Sequence, residues 1–405
     1  MRKAVSKSGR RLFVAPESVG LSSQRLERIG RALNPDIAKG RIAGAAVLVA
    51  RHGKVAFWEA FGAREPGGAA LEPNDLFRVY SMTKPICSVA VMMLVEEGRL
   101  LLSDPIGKYI PALAKPQVAV PQRGGAEGTP RLVLEPARSD ITIQDLLRHT
   151  SGLTYGFRAT HVKRLYEEAE QGILERTNEE VMQVLGALPL AFHPGTTWEY
   201  SRSTDVLGRL VEVISGRALG EFLRFRILEQ LGMSDTAFSV PEEQAHRLAQ
   251  AAPDPDTGKP QDLLPVTRPR RFESGGGGLV STAADYLRFA QMLLNGGELE
   301  GVRLLGPRTV AWMTADHLGP AIARGADYIP GPGYGFGLGF AVRGADGMAA
   351  VHGSAGDYHW SGAGGTFFWI DPQEQLIGIL MLQAPSLRQH YRQRIKSLVL
   401  QAVVD

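Results

Sequence analysis

The 405-residue chain has one cysteine, Cys87, so an internal disulfide framework is excluded. Long apolar runs are missing too. No stretch approaches the ~20 apolar residues that a membrane-crossing helix requires. The basic N-terminus lacks the apolar core of a secretory signal, so cytoplasmic location is expected. Neither sign of charge dominates: 45 Lys and Arg face 42 Asp and Glu, for a net charge of +3. The basic clusters at 2–11 and 268–271 are not accompanied by a zinc-finger, helix-turn-helix or aromatic RNA-binding pattern, and no nucleic-acid partner is expected. The nine histidines are scattered, with no His-Glu-x-x-His or paired-cysteine motif, so no metal is expected. A Walker loop and a Gly-x-Gly-x-x-Gly turn are also lacking, and no cofactor is expected. What remains is a chain 44% hydrophobic and 21% charged, the composition of an ordinary globular enzyme. Its length favours two subdomains around a cleft. Composition says nothing about oligomeric state.

The most informative residues are Ser81 and Lys84, in Phe-Arg-Val-Tyr-Ser-Met-Thr-Lys-Pro. A short β-prone stretch, 76–80, precedes them. Apolar residues then recur at Ile86, Val89, Ala90, Met93 and Leu94, which is helical spacing, and Gly98 ends the run. Ser81 therefore stands where a helix begins, with Lys84 one turn on, over the same face. A serine hydroxyl needs a neighbour to take its proton. A lysine desolvated against the protein, with a lowered pKa, is expected to serve. The pair alone also fits a solvated helix start. Cys87 lies in the apolar part of this helix and reads as a packed thiol.

Along the chain, 1–20 reads as a loose arm and 21–33 as a helix capped by Ser22 or Ser23. Segments 43–50 and 54–61 read as a hairpin turning at His52-Gly53. Residues 114–138, rich in Pro, Gly and charge, read as a surface excursion. Helices are expected over 142–149, 161–188, 203–215, 220–231 and 282–294. Strands are expected over 335–342, 364–370 and 376–382, with a closing helix from about 388 to 403. The alternating glycines 333–339 predict a strand with one bare face against which something packs closely. Strands at both ends and helices between them imply one sheet built from both termini, with a cleft beside the helical part.

Two further pieces bear on Ser81. Tyr200 stands at a loop–helix junction, where a phenol beside an ammonium can shuttle a proton between serine and leaving group. Residues 359–371, His-Trp-Ser-Gly-Ala-Gly-Gly-Thr-Phe-Phe-Trp-Ile-Asp, place small residues before an apolar strand. A backbone amide there, with that of Ser81, can hold an oxyanion. Ser354, in His-Gly-Ser-Ala-Gly, imitates a nucleophile elbow but lacks its first glycine and its strand–turn–helix setting.

Taken in order, these boxes resemble the serine β-lactamase/penicillin-binding-protein superfamily, and more closely the family VIII carboxylesterases. The resemblance runs from about 20 to 400. It includes Tyr-Ser-Met-Thr-Lys-Pro at 80–85, Leu-Leu-Arg-His-Thr-Ser-Gly-Leu-Thr-Tyr-Gly-Phe at 146–157, Tyr-Ser-Arg-Ser-Thr-Asp at 200–205 and Gly-Gly-Gly-Leu-Val-Ser-Thr at 276–282. It implies an α/β sandwich with a central, mainly antiparallel sheet flanked by helices, plus an all-helical region. The sandwich would comprise 1–105 and 265–405, and the helical part 106–264. It implies Ser81 as acyl-accepting nucleophile, Lys84 and Tyr200 as coupled base and acid, and the amides of Ser81 and Ala363 as oxyanion hole. Tyr155, Phe157, Trp360 and Gly362 would border the substrate. The third box departs from the β-lactamase Lys-Thr-Gly: Trp360-Ser361-Gly362 stands there, and an indole cannot pair with a substrate carboxylate. Tyr200-Ser201-Arg202 replaces Tyr-x-Asn. Both changes favour esters over β-lactams. The expected activity is cofactor-free hydrolysis of a small-molecule ester with a short to medium acyl chain. The alternatives are acyl transfer, weak β-lactam or D-amino-acid peptide cleavage, or a silent binding protein.

Overall fold

The computed structural model describes residues 13–122, 131–325 and 327–405. The basic cluster at 2–11 and most of the expected N-terminal arm lie outside them. Ser22 caps a short helix, α1 (Ser23–Leu26), accepting from the Arg25 amide, and α2 (Arg28–Ala38) follows. The first hairpin, β1 (Gly44–Arg51) and β2 (Lys54–Gly62), turns through His52 and Gly53, both at positive φ. After α3 (Thr83–Glu96) comes a two-stranded ribbon, β3 (Gln117–Gln122) and β4 (Arg131–Pro136). The expected excursion over 114–138 is thus partly ordered sheet. Its apolar Val118 and Ala119 are buried, a signal masked by the surrounding Pro and Gly.

The helical stretch supplies α4 (Ile143–Leu147), α5 (Lys163–Glu170), α6 (Asn178–Gly186), α7 (Ser203–Ser215) and α8 (Leu219–Leu223). A reciprocal Thr142–Asp145 capping box starts α4, and Thr177 with Glu180 does the same for α6. The single helix expected over 161–188 is two, because Gly172 at positive φ and a 3-10 turn interrupt it. The helix expected over 220–231 widens from α8 into a π turn at Arg224–Leu228. Then come α9 (Ala283–Leu294), α10 (Pro307–Met313) and α11 (Arg388–Leu400).

The strand expected over 335–342 is instead a tight hairpin, β5 (Tyr334–Phe336) and β6 (Ala341–Arg343). No single strand with one bare face forms, because the glycines serve close contact and a turn. A Cβ on Gly337 would stand 2.1 Å from the Met313 carbonyl, and Gly339 sits at φ +106° against Ser88. With β7 (Tyr358–Ser361), β8 (Phe367–Asp371) and β9 (Leu376–Leu382), the sheet runs β5-β6-β7-β8-β9-β1-β2, every neighbour antiparallel.

Alternate residues of β1 face opposite layers. Ala45, Val47 and Val49 pack with Leu33, Tyr391 and Ile395 of α2 and α11. Ala46 and Leu48 pack with the apolar side of α3 and with Phe289 of α9. Burial on both faces explains why β1 and β9 read as unbroken apolar runs and not as alternating ones. The sheet is therefore the middle layer of an α/β sandwich, as the resemblance implies, and α3, buried along its length from Thr83 to Leu94, packs against α7.

Candidate active site

Ser81 lies in a 3-10 turn, Tyr80–Met82, that runs directly into α3. The turn is held from several sides. The Val79 amide donates to Leu279 O at 3.0 Å, and Thr366 Oγ1 donates to Val79 O at 3.2 Å. Tyr286 Oη donates to Met82 O at 2.9 Å. Tyr80, just before the serine, has φ +45°, a left-handed conformation that a bulky residue holds only when its surroundings over-determine it. Strain of this kind gathers at functional sites.

Lys84, in the first turn of α3, is buried and has three partners. Its ammonium donates to Gly276 O at 2.6 Å, Tyr155 Oη at 3.0 Å and Ser81 Oγ at 3.3 Å. Tyr200 Oη lies 2.6 Å from Ser81 Oγ, and the Lys84 nitrogen sits 4.5 Å from the Tyr200 ring centre. One sequence expectation is overturned here. Burial does act to strip Lys84 of its proton, but the oxygens of Tyr155 and Tyr200 and the Asp205 carboxylate outweigh it. The pKa of Lys84 is raised, not lowered, and the group rests as an ammonium. Burial raises the Tyr155 pKa, so that residue stays a phenol.

Tyr200 precedes α7 in a nest of rings. His149, Tyr155 and Trp360 stand 5.1, 5.3 and 5.4 Å from it, centre to centre. His149, at φ +58°, is buried, and burial with the nearby Lys84 charge drives its pKa well below the ordinary histidine value. It packs as a neutral ring.

The 362–365 turn between β7 and β8 carries the expected oxyanion amide. Gly362 N donates to Thr366 O and Gly365 N to Gly362 O. Ala363 N has no partner among the described residues, and Ala363 is exposed. A Cβ on Gly362 would lie 2.3 Å from both Thr366 Oγ1 and Val79 O, so only glycine lets this turn approach the serine turn so closely. Gly362 O also accepts from Arg392 of α11.

The four residues expected to border the substrate are placed differently from one another. Phe157 is 65% exposed and stacks on Tyr155 at 4.8 Å. Tyr155 is buried and occupied with Lys84. Trp360 is only 3% exposed and packs on Tyr200 and Phe336, so it supports the tyrosine from behind. Gly362 is a backbone element of the turn. Ser354 remains apart, in the loop before β7, with its amide on Asp371. Cavities of about 440 Å³, lined by Arg99, Arg217 and Phe222, and about 350 Å³, lined by Val118, His161 and Phe192, include none of Ser81, Lys84 and Tyr200. Among the described residues no three His, Cys, Asp or Glu side chains converge as metal ligands would.

Two contributors escaped the sequence reading. Gly276 was visible only as part of a glycine run, yet its carbonyl is the nearest partner of Lys84. Asp205, near the start of α7, looked like an ordinary acidic residue in a helix's first turn. Nothing local distinguishes it from such a residue.

Comparison with known proteins identifies the family. The beta-lactamase family profile matches residues 29–401. Protein Rv1367c of Mycobacterium tuberculosis is 36% identical over 354 residues, 85% of this chain and 86% of that one. Esterase EstB of Burkholderia gladioli is 30% identical over 365 residues, again 85% of this chain and 86% of its own. The solved structure of EstCE1, described as a hydrolase with promiscuous acyltransferase activity, superposes with a TM-score of 0.77 at 26% identity, over 95% of this chain and 99% of that one. The chain belongs to the beta-lactamase family, as one of its family VIII-like serine hydrolases.

Proposed function

We propose that this chain is a serine carboxylesterase that works through an acyl-enzyme on Ser81. The observation that carries the reading is the 2.6 Å separation of Tyr200 Oη and Ser81 Oγ, with the Lys84 ammonium 3.3 Å from the same hydroxyl. Because Lys84 holds its proton, the acceptor for the Ser81 proton is the Tyr200 oxygen, as phenolate beside that ammonium. Ser81 Oγ attacks the ester carbonyl carbon, and the negative charge moves to the carbonyl oxygen. The amides of Ser81 and Ala363 receive that oxygen. Collapse expels the alcohol, which takes its proton from Tyr200, and leaves Ser81 acylated. Water then attacks, gives a proton to Tyr200, and releases the acid as Ser81 is reprotonated. Lys84 keeps its charge throughout and steadies whichever oxygen is anionic.

If an alcohol enters in place of water, the same steps transfer the acyl group. The similarity to EstCE1 favours this second reading. Cytoplasmic residence belongs to the proposal, on the buried free thiol of Cys87.

The test is initial rates on p-nitrophenyl acetate, butyrate and octanoate for wild type and Ser81→Ala, with nitrocefin alongside. Ester turnover lost by at least ~10³-fold in a folded mutant is expected. Turnover surviving in Ser81→Ala would remove the serine from the mechanism. Nitrocefin cleavage exceeding ester cleavage would make the enzyme a β-lactamase. If folded wild type turns over neither, the residues describe a binding protein.

A further inference from the structure

Asp205 is fully buried, two residues into α7, and touches neither Ser81 nor Tyr200. Its carboxylate nevertheless reaches the site by a short path. Oδ1 accepts from Ser274 Oγ at 2.5 Å and from the Gly276 amide at 3.0 Å. Gly276 O in turn receives the Lys84 ammonium at 2.6 Å. The contact is close enough that a Cβ on Gly276 would lie 2.9 Å from Oδ1. The adjoining Gly275 is equally constrained, 2.6 Å from Thr204 O if it carried a Cβ. The glycine run 275–278 thus lets the loop lie flat on the start of α7, where Asp205 grips it.

On its other oxygen Asp205 receives Arg202 at 3.3 Å. Arg202 also pairs with Glu170 of α5, and its guanidinium lies 4.7 Å from the Tyr155 ring centre. Two charges of opposite sign, Asp205 and Arg202, therefore flank the Lys84–Tyr155–Tyr200 group. Arg392 of α11, which donates to Gly362 O, also faces Tyr200, and burial with the nearby Arg388 charge pushes its pKa down to about 9. Cys87, one turn along α3, stays a thiol because burial pushes it up. His149 stays neutral. Glu212, further along α7, is turned toward Arg209 and the Leu219 amide.

We propose that Asp205 is a positioning residue that fixes Lys84 through Gly276 and sets the pH range over which the Ser81–Lys84–Tyr200 unit works. The inference rests on the serine-hydrolase reading of that unit. Its sign follows from charge alone. The unit works with one proton shared between Lys84 and Tyr200. Gaining a proton adds positive charge, which Asp205 favours, and losing one adds negative charge, which Asp205 opposes. A negative neighbour therefore raises both the acid and the alkaline limit, whichever atom holds the shared proton. A positive neighbour lowers both.

The experiment is the pH profile of kcat/KM on p-nitrophenyl butyrate for wild type, Asp205→Asn, Arg202→Gln and Ser81→Ala. Asp205→Asn is expected to move both limits down by about one pH unit, and Arg202→Gln to move both up. A merely structural role lowers the rate without moving the limits. Unmoved limits in folded Asp205→Asn would overturn the proposal. Should that variant not fold, Arg202→Gln decides, and limits that stay or fall in it would overturn the proposal. An active Ser81→Ala would instead defeat the underlying reading, whatever the profiles show.

Discussion

Lys84 lies nearer to the carbonyl of Gly276, at 2.6 Å, than to the hydroxyl of Ser81, at 3.3 Å. The lysine is anchored first and serves the serine second. An amine held by a carbonyl oxygen and a phenol, with a carboxylate close by, is stabilised in its charged form. In the proposed mechanism proton transfer therefore falls to the tyrosine and electrostatic stabilisation to the lysine.

The two tyrosines on Lys84 are therefore expected to differ. Tyr200 touches Ser81, and Tyr200→Phe should lower kcat by roughly 10³-fold, within the range for loss of a positioned acid–base group. The Tyr155 hydroxyl takes part only in the contact with the ammonium. Tyr155→Phe removes one charge-assisted hydrogen bond and should cost about tenfold. Both are read from single-substrate kinetics at saturation. The reverse order would make Tyr155 the proton carrier.

Gly362→Ala should be more damaging to rate than to stability. The added methyl meets Val79 O and Thr366 Oγ1 and pushes the Ala363 amide away from the serine turn. A loss of ~10²-fold in kcat/KM is expected, with about 1–3 kcal/mol from overpacking. Gly216→Ala is the control. Gly216 has φ +72° with open space around it, so alanine there costs about 1 kcal/mol of backbone strain and no activity. Urea midpoints and initial rates of the pair separate the two effects. Equal rates in both would dismiss the turn as the oxyanion site.

Trp360→Lys restores the residue type that β-lactamases carry in the third box. From the sequence, a gain for carboxylate-bearing β-lactams would follow. The ring nest dictates otherwise. A lysine there would sit among Tyr200 and Phe336, lose the indole packing and bury a second ammonium near Lys84. The expected result is a loss of at least ~3 kcal/mol with no rise in nitrocefin turnover relative to butyrate. A stable variant with a raised ratio would return Trp360 to the role of charge discriminator.

His149 and His359 are both driven well below the ordinary histidine pKa, each by burial first and by neighbouring cations second. Their unfolded forms take up protons below about pH 6.5 and their folded forms do not. Unfolding is thus favoured as pH falls, and the stability they contribute is present above pH 6.5. The loss approaches about 1.4 kcal/mol per pH unit per group. Denaturant titrations at pH 7.0, 6.0 and 5.5 should show it. His149→Asn, which tolerates the left-handed backbone, should flatten the slope. A slope unchanged in that variant would assign the acid sensitivity elsewhere.

The sequence by itself determined the local chemistry. The helix start that carries Ser81 and Lys84 one turn apart was legible from apolar spacing, as were the β1–β2 hairpin and the glycines before β8. Such features depend on neighbours a few residues away, which the chain order fixes. The tertiary structure alone decided what charge those groups hold. Gly276 stands 192 residues from Lys84 and Asp205 stands 121 from it, so no local pattern announces that they meet. It also decided that Trp360 backs Tyr200 and that the 335–342 strand folds into a hairpin. Burial and through-space charge are sums over the whole fold, and both act on Lys84: burial alone would free its proton, and the oxygens gathered around it keep the proton in place.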